Sequence, residues 1–60
     1  MKKYMLVYTA FGSQLAMFSD DYLEIHNSKM DVECGIGGYA EIYERMETED
    51  GMIEYVMVEA

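Results

Sequence analysis

The sequence predicts an α+β domain in two layers, with a small, mostly antiparallel sheet of three or four strands carrying one helix on one face, in the order ββαββ. Three observations lead there. The opening segment KKYMLVYTAF is rich in β-branched and aromatic residues and has no helix cap before it. The middle segment SDDYLEIHNSKMDVECG begins on capping residues and ends on a glycine. In the last third, GGYAEIYERMETEDGMIEYVMVEA, two strand-forming runs flank an Asp-Gly pair, which favours the positive φ angles of a tight hairpin.

The first strand offers two faces, Tyr4, Leu6, Tyr8, Ala10 and Met5, Val7, Thr9, Phe11. Both are largely apolar, as expected of a central strand buried on two sides. Gly12-Ser13-Gln14 carries a turn signal, and Leu15 to Ser19 has the length and composition of a short second strand returning beside the first.

The helix is expected to run for about 13 residues. Ser19, Asp20 or Asp21 caps its start, Asp21 and Glu24 have the spacing of a capping box, and Gly35 closes it. Leu23, His26, Met30 and Cys34 form its apolar stripe, with Tyr22, Ile25 and Val32 at the edges, and Asn27-Ser28 is a weak point in its middle. The helix then returns the chain across the sheet, so the two hairpins meet through the first strand.

Two registers fit the terminal hairpin, and they differ in which side chains share a face. A two-residue Asp50-Gly51 turn sets Met46 opposite Tyr55 and Arg45 opposite Val56. A three-residue Glu49-Asp50-Gly51 loop sets Met46 opposite Glu54 and Arg45 opposite Tyr55. The second has the better side-chain logic: Ile42, Met46, Val56 and Val58 turn toward the helix, and Tyr39, Tyr43, Ile53, Tyr55 and Met57 turn away. In either register one helix covers one face of the sheet and leaves large apolar and aromatic side chains on the other.

The chain has 60 residues, read as one domain over 1–60, with no internal repeat, low-complexity segment, proline or linker. A domain this small has a thin stability margin and needs compensation. Cys34, the only cysteine, cannot form an intramolecular disulfide, and one His with one Cys cannot complete a zinc site, which leaves good packing or oligomerisation. A hydrophobic fraction of 52% favours folding despite a net charge of -8. No stretch approaches a membrane span. Lys2 and Lys3 before an apolar run mimic a signal peptide, but cleavage near Ala16 would remove over a quarter of the domain, and the alternating tyrosines make a poor apolar core for one. The lone cysteine fits a cytoplasmic protein.

Twelve Asp and Glu against four Lys and Arg disfavour direct nucleic-acid or anionic membrane binding and suit a protein partner with a basic surface, while also serving solubility. Catalytic equipment is sparse. A phosphate loop needs glycines before a helix, whereas Gly35, Gly37 and Gly38 follow one, with Glu33 and Glu41 nearby. Cys34, at the negative end of a helix, lacks the setting of a nucleophile and is expected to be buried, and His26 would lie about 12 Å from it along the axis. The acidic run around Glu47, Glu49 and Asp50 lacks the alternating ligands of a calcium loop. Of the seven methionines, Met30 and Met46 are expected in the core, and Met52 and Met57 suit either core or surface.

These exclusions leave a non-enzymatic protein-binding module without metal or cofactor, homodimeric through the uncovered sheet face and acting as inhibitor or adaptor. Its expected partner-binding residues are Tyr39, Glu41, Tyr43, Arg45, Tyr55 and Met57. In size, acidity and lack of catalytic equipment the chain resembles, in general character, the small anti-defence and inhibitor proteins of phages and mobile elements. That resemblance implies a nucleic-acid-processing target with a basic groove. An alternative is a protein that sequesters a flat or nucleotide-like ligand between subunits on Tyr39, Tyr43 and Tyr55.

Overall fold

A computed structural model describes all 60 residues. In chain order it forms β1 (Tyr4–Ala10), β2 (Ser13–Ser19), α1 (Tyr22–Asp31), a π-helical turn (Val32–Ile36), β3 (Ala40–Glu47) and β4 (Ile53–Glu59). The four strands make one antiparallel sheet in the order β2-β1-β3-β4, so β1 is central and joins the two hairpins through β3, as the ββαββ reading requires.

The first hairpin turns on Phe11-Gly12, both with positive φ (52° and 80°), which is the primed two-residue geometry that matches strand twist. The turn therefore lies ahead of the expected Gly-Ser-Gln. Ser13 and Gln14 join β2, and all seven of its residues pair with β1, from Tyr4 opposite Ser19 to Ala10 opposite Ser13.

The second hairpin adopts the three-residue loop. Gly51, with φ 84°, donates its N–H to Thr48 O at 3.0 Å, and Thr48 N–H reaches Met52 O at 2.7 Å. Met46 faces Glu54 and Arg45 faces Tyr55, as expected of that loop. One departure follows farther along. A bulge sets Tyr43 opposite Met57 and Ile42 opposite Glu59, so Val58 falls out of the ladder. It is exposed rather than helix-facing, and Glu59 takes the inward position.

Ser19 Oγ accepts the Asp21 N–H at 3.0 Å, and the Asp21 carboxylate accepts from Leu23 N at 3.0 Å as the N-cap. The inward face of α1 differs from the expected stripe. Ile25, Lys29 and Val32 are buried, whereas Leu23 is 66% and Met30 44% exposed, and Cys34 is on the surface. The reason is Lys29, which buries its aliphatic stem and pairs its ammonium with Glu33 Oε1 at 2.8 Å, so an inward position reads as a polar one. The Glu33 carboxylate holds the Lys29 ammonium above its usual range.

The helix does not break at Asn27-Ser28. It widens at Val32 into the π turn and ends at Gly37, whose φ of 79° makes it the left-handed cap in place of Gly35. The Gly37 and Gly38 N–H groups both donate to Val32 O, at 2.9 and 3.2 Å. At Gly38 the chain re-enters the sheet so closely that a Cβ would sit 2.0 Å from Thr9 O.

Leu6, Ile25, Val32, Ala40 and Ile42 form the core, with Tyr4, Tyr8 and Met17 packed around it. Met46, expected there, is 39% exposed, because α1 packs over β1, β2 and β3 and reaches β4 through Glu59 near its end. The same geometry covers β1 on only one of its two apolar faces.

Candidate interaction face

Strand alternation sends the neighbours of Leu6 and Ile42 to the side away from the helix. The register collects there Met5 and Val7 from β1, Phe18 from β2, Tyr43 and Arg45 from β3, and Ile53, Tyr55 and Met57 from β4. No element of the chain covers this face.

Its centre is organised. The Phe18 and Tyr55 rings approach to 6.0 Å between centroids at 59°. Tyr55 Oη donates to Lys2 O at 2.7 Å, Arg45 donates from its backbone N–H to Lys3 O at 2.7 Å, and its guanidinium donates to Met1 O. Lys3 N–H reaches Asp20 Oδ1 at 2.9 Å, and Lys2 Nζ lies 3.4 Å from Asp20 Oδ2. The Lys3 backbone N–H, reinforced by the Lys2 ammonium, holds the Asp20 carboxyl below its usual range. Residues 1–3 are thereby tied along one end of the face.

Of the six expected partner-binding residues, the structure brings four into one cluster. Tyr43 with Met57 and Arg45 with Tyr55 are direct cross-strand pairs on the open face. Glu41 shares the face farther along β3, opposite Val7. Tyr39 stands apart. It precedes β3, is 83% exposed, exchanges bonds with Thr9 (Tyr39 N–H to Thr9 Oγ1 at 3.1 Å, Thr9 N–H to Tyr39 O at 2.9 Å) and lines an open cleft of about 290 Å³ with Phe11 and Ile36. A tyrosine-lined ligand site on the open face would thus draw on Tyr43 and Tyr55 without Tyr39.

Sequence reasoning missed Phe18 and Met5 as members of the face. The signal was present in Phe11-Gly12: a two-residue turn there pairs Met5 with Phe18 and puts both on the side opposite Leu6.

Charge is unevenly spread. By the register and the element order, only Glu41 and Glu47 of the twelve acidic residues lie on the open face, at the two ends of β3. Asp20, Asp21, Glu24, Asp31 and Glu33 follow the helix and its ends, Glu44, Glu54 and Glu59 lie on the helix side of the sheet, and Glu49 and Asp50 occupy the hairpin loop. The result is an apolar, aromatic centre with acid toward its margins.

On the helix side, Tyr22 and His26 stack with centroids 5.8 Å apart, and Glu59 approaches both, 3.4 Å from the Tyr22 hydroxyl and 3.7 Å from His26 Nδ1. Desolvation, with Glu59 adding to it, raises the Tyr22 phenol above its usual range. This trio adjoins neither cleft. The second cleft, about 220 Å³, lies between α1 and β1–β2 and is lined by Leu6, Tyr8, Met17 and Val32. The first cleft, at about 290 Å³, sits at the lower limit of the roughly 300–1,000 Å³ of typical small-molecule sites, and the second is smaller. No helix is long and apolar enough to cross a membrane.

No family model, curated protein or solved structure matches the chain.

Proposed function

We propose that the protein is a non-enzymatic binding module, an inhibitor or adaptor, that docks a partner protein on its open sheet face. The observation that carries this reading is the uncovered cluster of Phe18, Tyr43, Tyr55 and Met57, held in place by the ties of Arg45 and Tyr55 to the N-terminal backbone. Preorganised aromatic side chains with one polar end supply large contact area at little entropic cost. The acidic margins and the net charge of -8 favour a partner whose apolar patch is bordered by Lys and Arg, such as the rim of a basic nucleic-acid groove. The exposed, unpaired Cys34 suits a reducing, cytoplasmic setting.

The test compares affinity capture from the native host by the wild-type protein, by Tyr55→Ala and Met57→Ala, and by Leu23→Ser on the outer side of the helix. The reading expects a protein retained by wild type and Leu23→Ser, weakened at least tenfold by either open-face substitution, and released faster at high salt. Capture that is indifferent to Tyr55 and Met57 would overturn it.

A further inference from the structure

The two edges of the sheet are built differently. The β4 edge carries Glu54 and Glu59 and a bulge at Val58, devices that discourage further strand pairing. The β2 edge has none of them. The chain is uncharged from Tyr4 to Ser19 and contains no proline, and β2 runs for seven residues in unbroken register.

The hydrogen-bond parity of β2 can be read from its neighbour. Thr9 N–H bonds to Tyr39 O and Lys3 O accepts from Arg45 N, so odd-numbered residues of β1 address β3. Even-numbered residues address β2, at Ser13, Leu15, Met17 and Ser19. Gln14, Ala16 and Phe18 therefore turn their N–H and C=O groups outward, a set centred on Ala16.

We propose that β2 pairs antiparallel with β2 of a second copy about a twofold axis at Ala16, giving a continuous eight-stranded sheet. The outward set is self-complementary in that register. Ala16 exchanges two hydrogen bonds with Ala16 of the second copy, Gln14 pairs with Phe18 of the second copy and Phe18 with its Gln14, for about six backbone bonds in all. Between them, on the helix side, the half-exposed Leu15 meets Met17 of the second copy. Charge selects this occupant. Two copies at -8 each repel, and with screening over about 8 Å at physiological salt the uncharged β2 edge is where they approach at least cost. The nearest acid, Asp20, is paired with Lys2. A twofold normal to the sheet puts both helices on one side and both open faces on the other, so the partner-binding surface is doubled rather than consumed.

Sedimentation equilibrium at about 100 μM and 0.15 M salt tests the pairing. Wild type is expected at twice its 6.9 kDa mass. Ala16→Pro removes an outward N–H without removing a bond to β1, so it should keep the monomer's circular dichroism while raising the dimer dissociation constant at least tenfold. Ala16→Glu sets two carboxylates against each other across the axis and should do the same, with partial recovery in 1 M salt. Met57→Glu, on the open face, should leave the dimer intact. A wild-type monomer at this concentration, a dimer that survives both Ala16 substitutions, or a dimer lost on Met57→Glu alone would each overturn the proposal, the last by assigning self-association to the face.

Discussion

Phe18 and Tyr55 touch across the open face, with ring centroids 6.0 Å apart, although β2 and β4, which carry them, are the two outer strands of the sheet. Each side chain leans inward over the strands between, so the face has a small aromatic bridge of its own. A double-mutant cycle on Phe18→Ala and Tyr55→Ala, read by urea unfolding, should return a coupling of about 0.5–1.5 kcal/mol. Tyr55→Phe keeps the ring and loses the bond to Lys2 O, and should cost about 1 kcal/mol.

The glycines after the helix should respond unequally to alanine. Gly38→Ala forces a Cβ to within 2.0 Å of Thr9 O and must displace the backbone bond between Thr9 and Tyr39. A loss of about 3 kcal/mol or more is expected, the upper end of overpacking costs. Gly37→Ala is strained by its left-handed φ and should lose about 1–2 kcal/mol. Gly35, with open space around its Cβ position and an ordinary φ, should change by no more than about 0.5 kcal/mol. Chemical denaturation of the three variants checks the order.

Phe11 occupies a left-handed position, φ 52°, while 91% exposed. Little packing offsets the backbone cost there. Phe11→Asn should stabilise the hairpin by about 1 kcal/mol, seen as a higher melting temperature with the fold unchanged.

Stability should fall at both ends of the pH range. The carboxyls of Asp20 and Asp50 are held low, Asp20 first by the Lys3 N–H and Asp50 first by the Thr48 hydroxyl. A depressed folded pKa contributes stability that is present above the unfolded value near 4 and lost as pH falls through the folded one. Asp50→Asn should flatten part of that acid limb. Lys29 and Tyr22 are held high. Their contribution is complete below the unfolded values near 10 and is lost as pH rises through the folded ones. Lys29→Met should shallow the alkaline limb of a melting-temperature profile.

Much of the molecule is determined over short stretches of sequence. The element order follows from the β-branched and aromatic run of β1, the Asp21 cap, and the Glu49-Asp50-Gly51 loop, whose left-handed glycine also sets Met46 against Glu54 and Arg45 against Tyr55. Each is a local matter of backbone conformation and bonding within a few residues, and Tyr43, Arg45, Tyr55 and Met57 were legible as neighbours for that reason. The tertiary structure alone decided the rest. The inward side of α1 depends on how β2 delivers the chain and how Gly37 and Gly38 return it, and Lys29 lying along the core turns Met30 and Cys34 outward. The bulge that lets Glu59 reach Tyr22 and His26, and the meeting of Phe18 with Tyr55, join residues more than thirty positions apart. Such contacts exist only once four strands are in register, because no local preference of the backbone encodes the distance between opposite edges of a sheet.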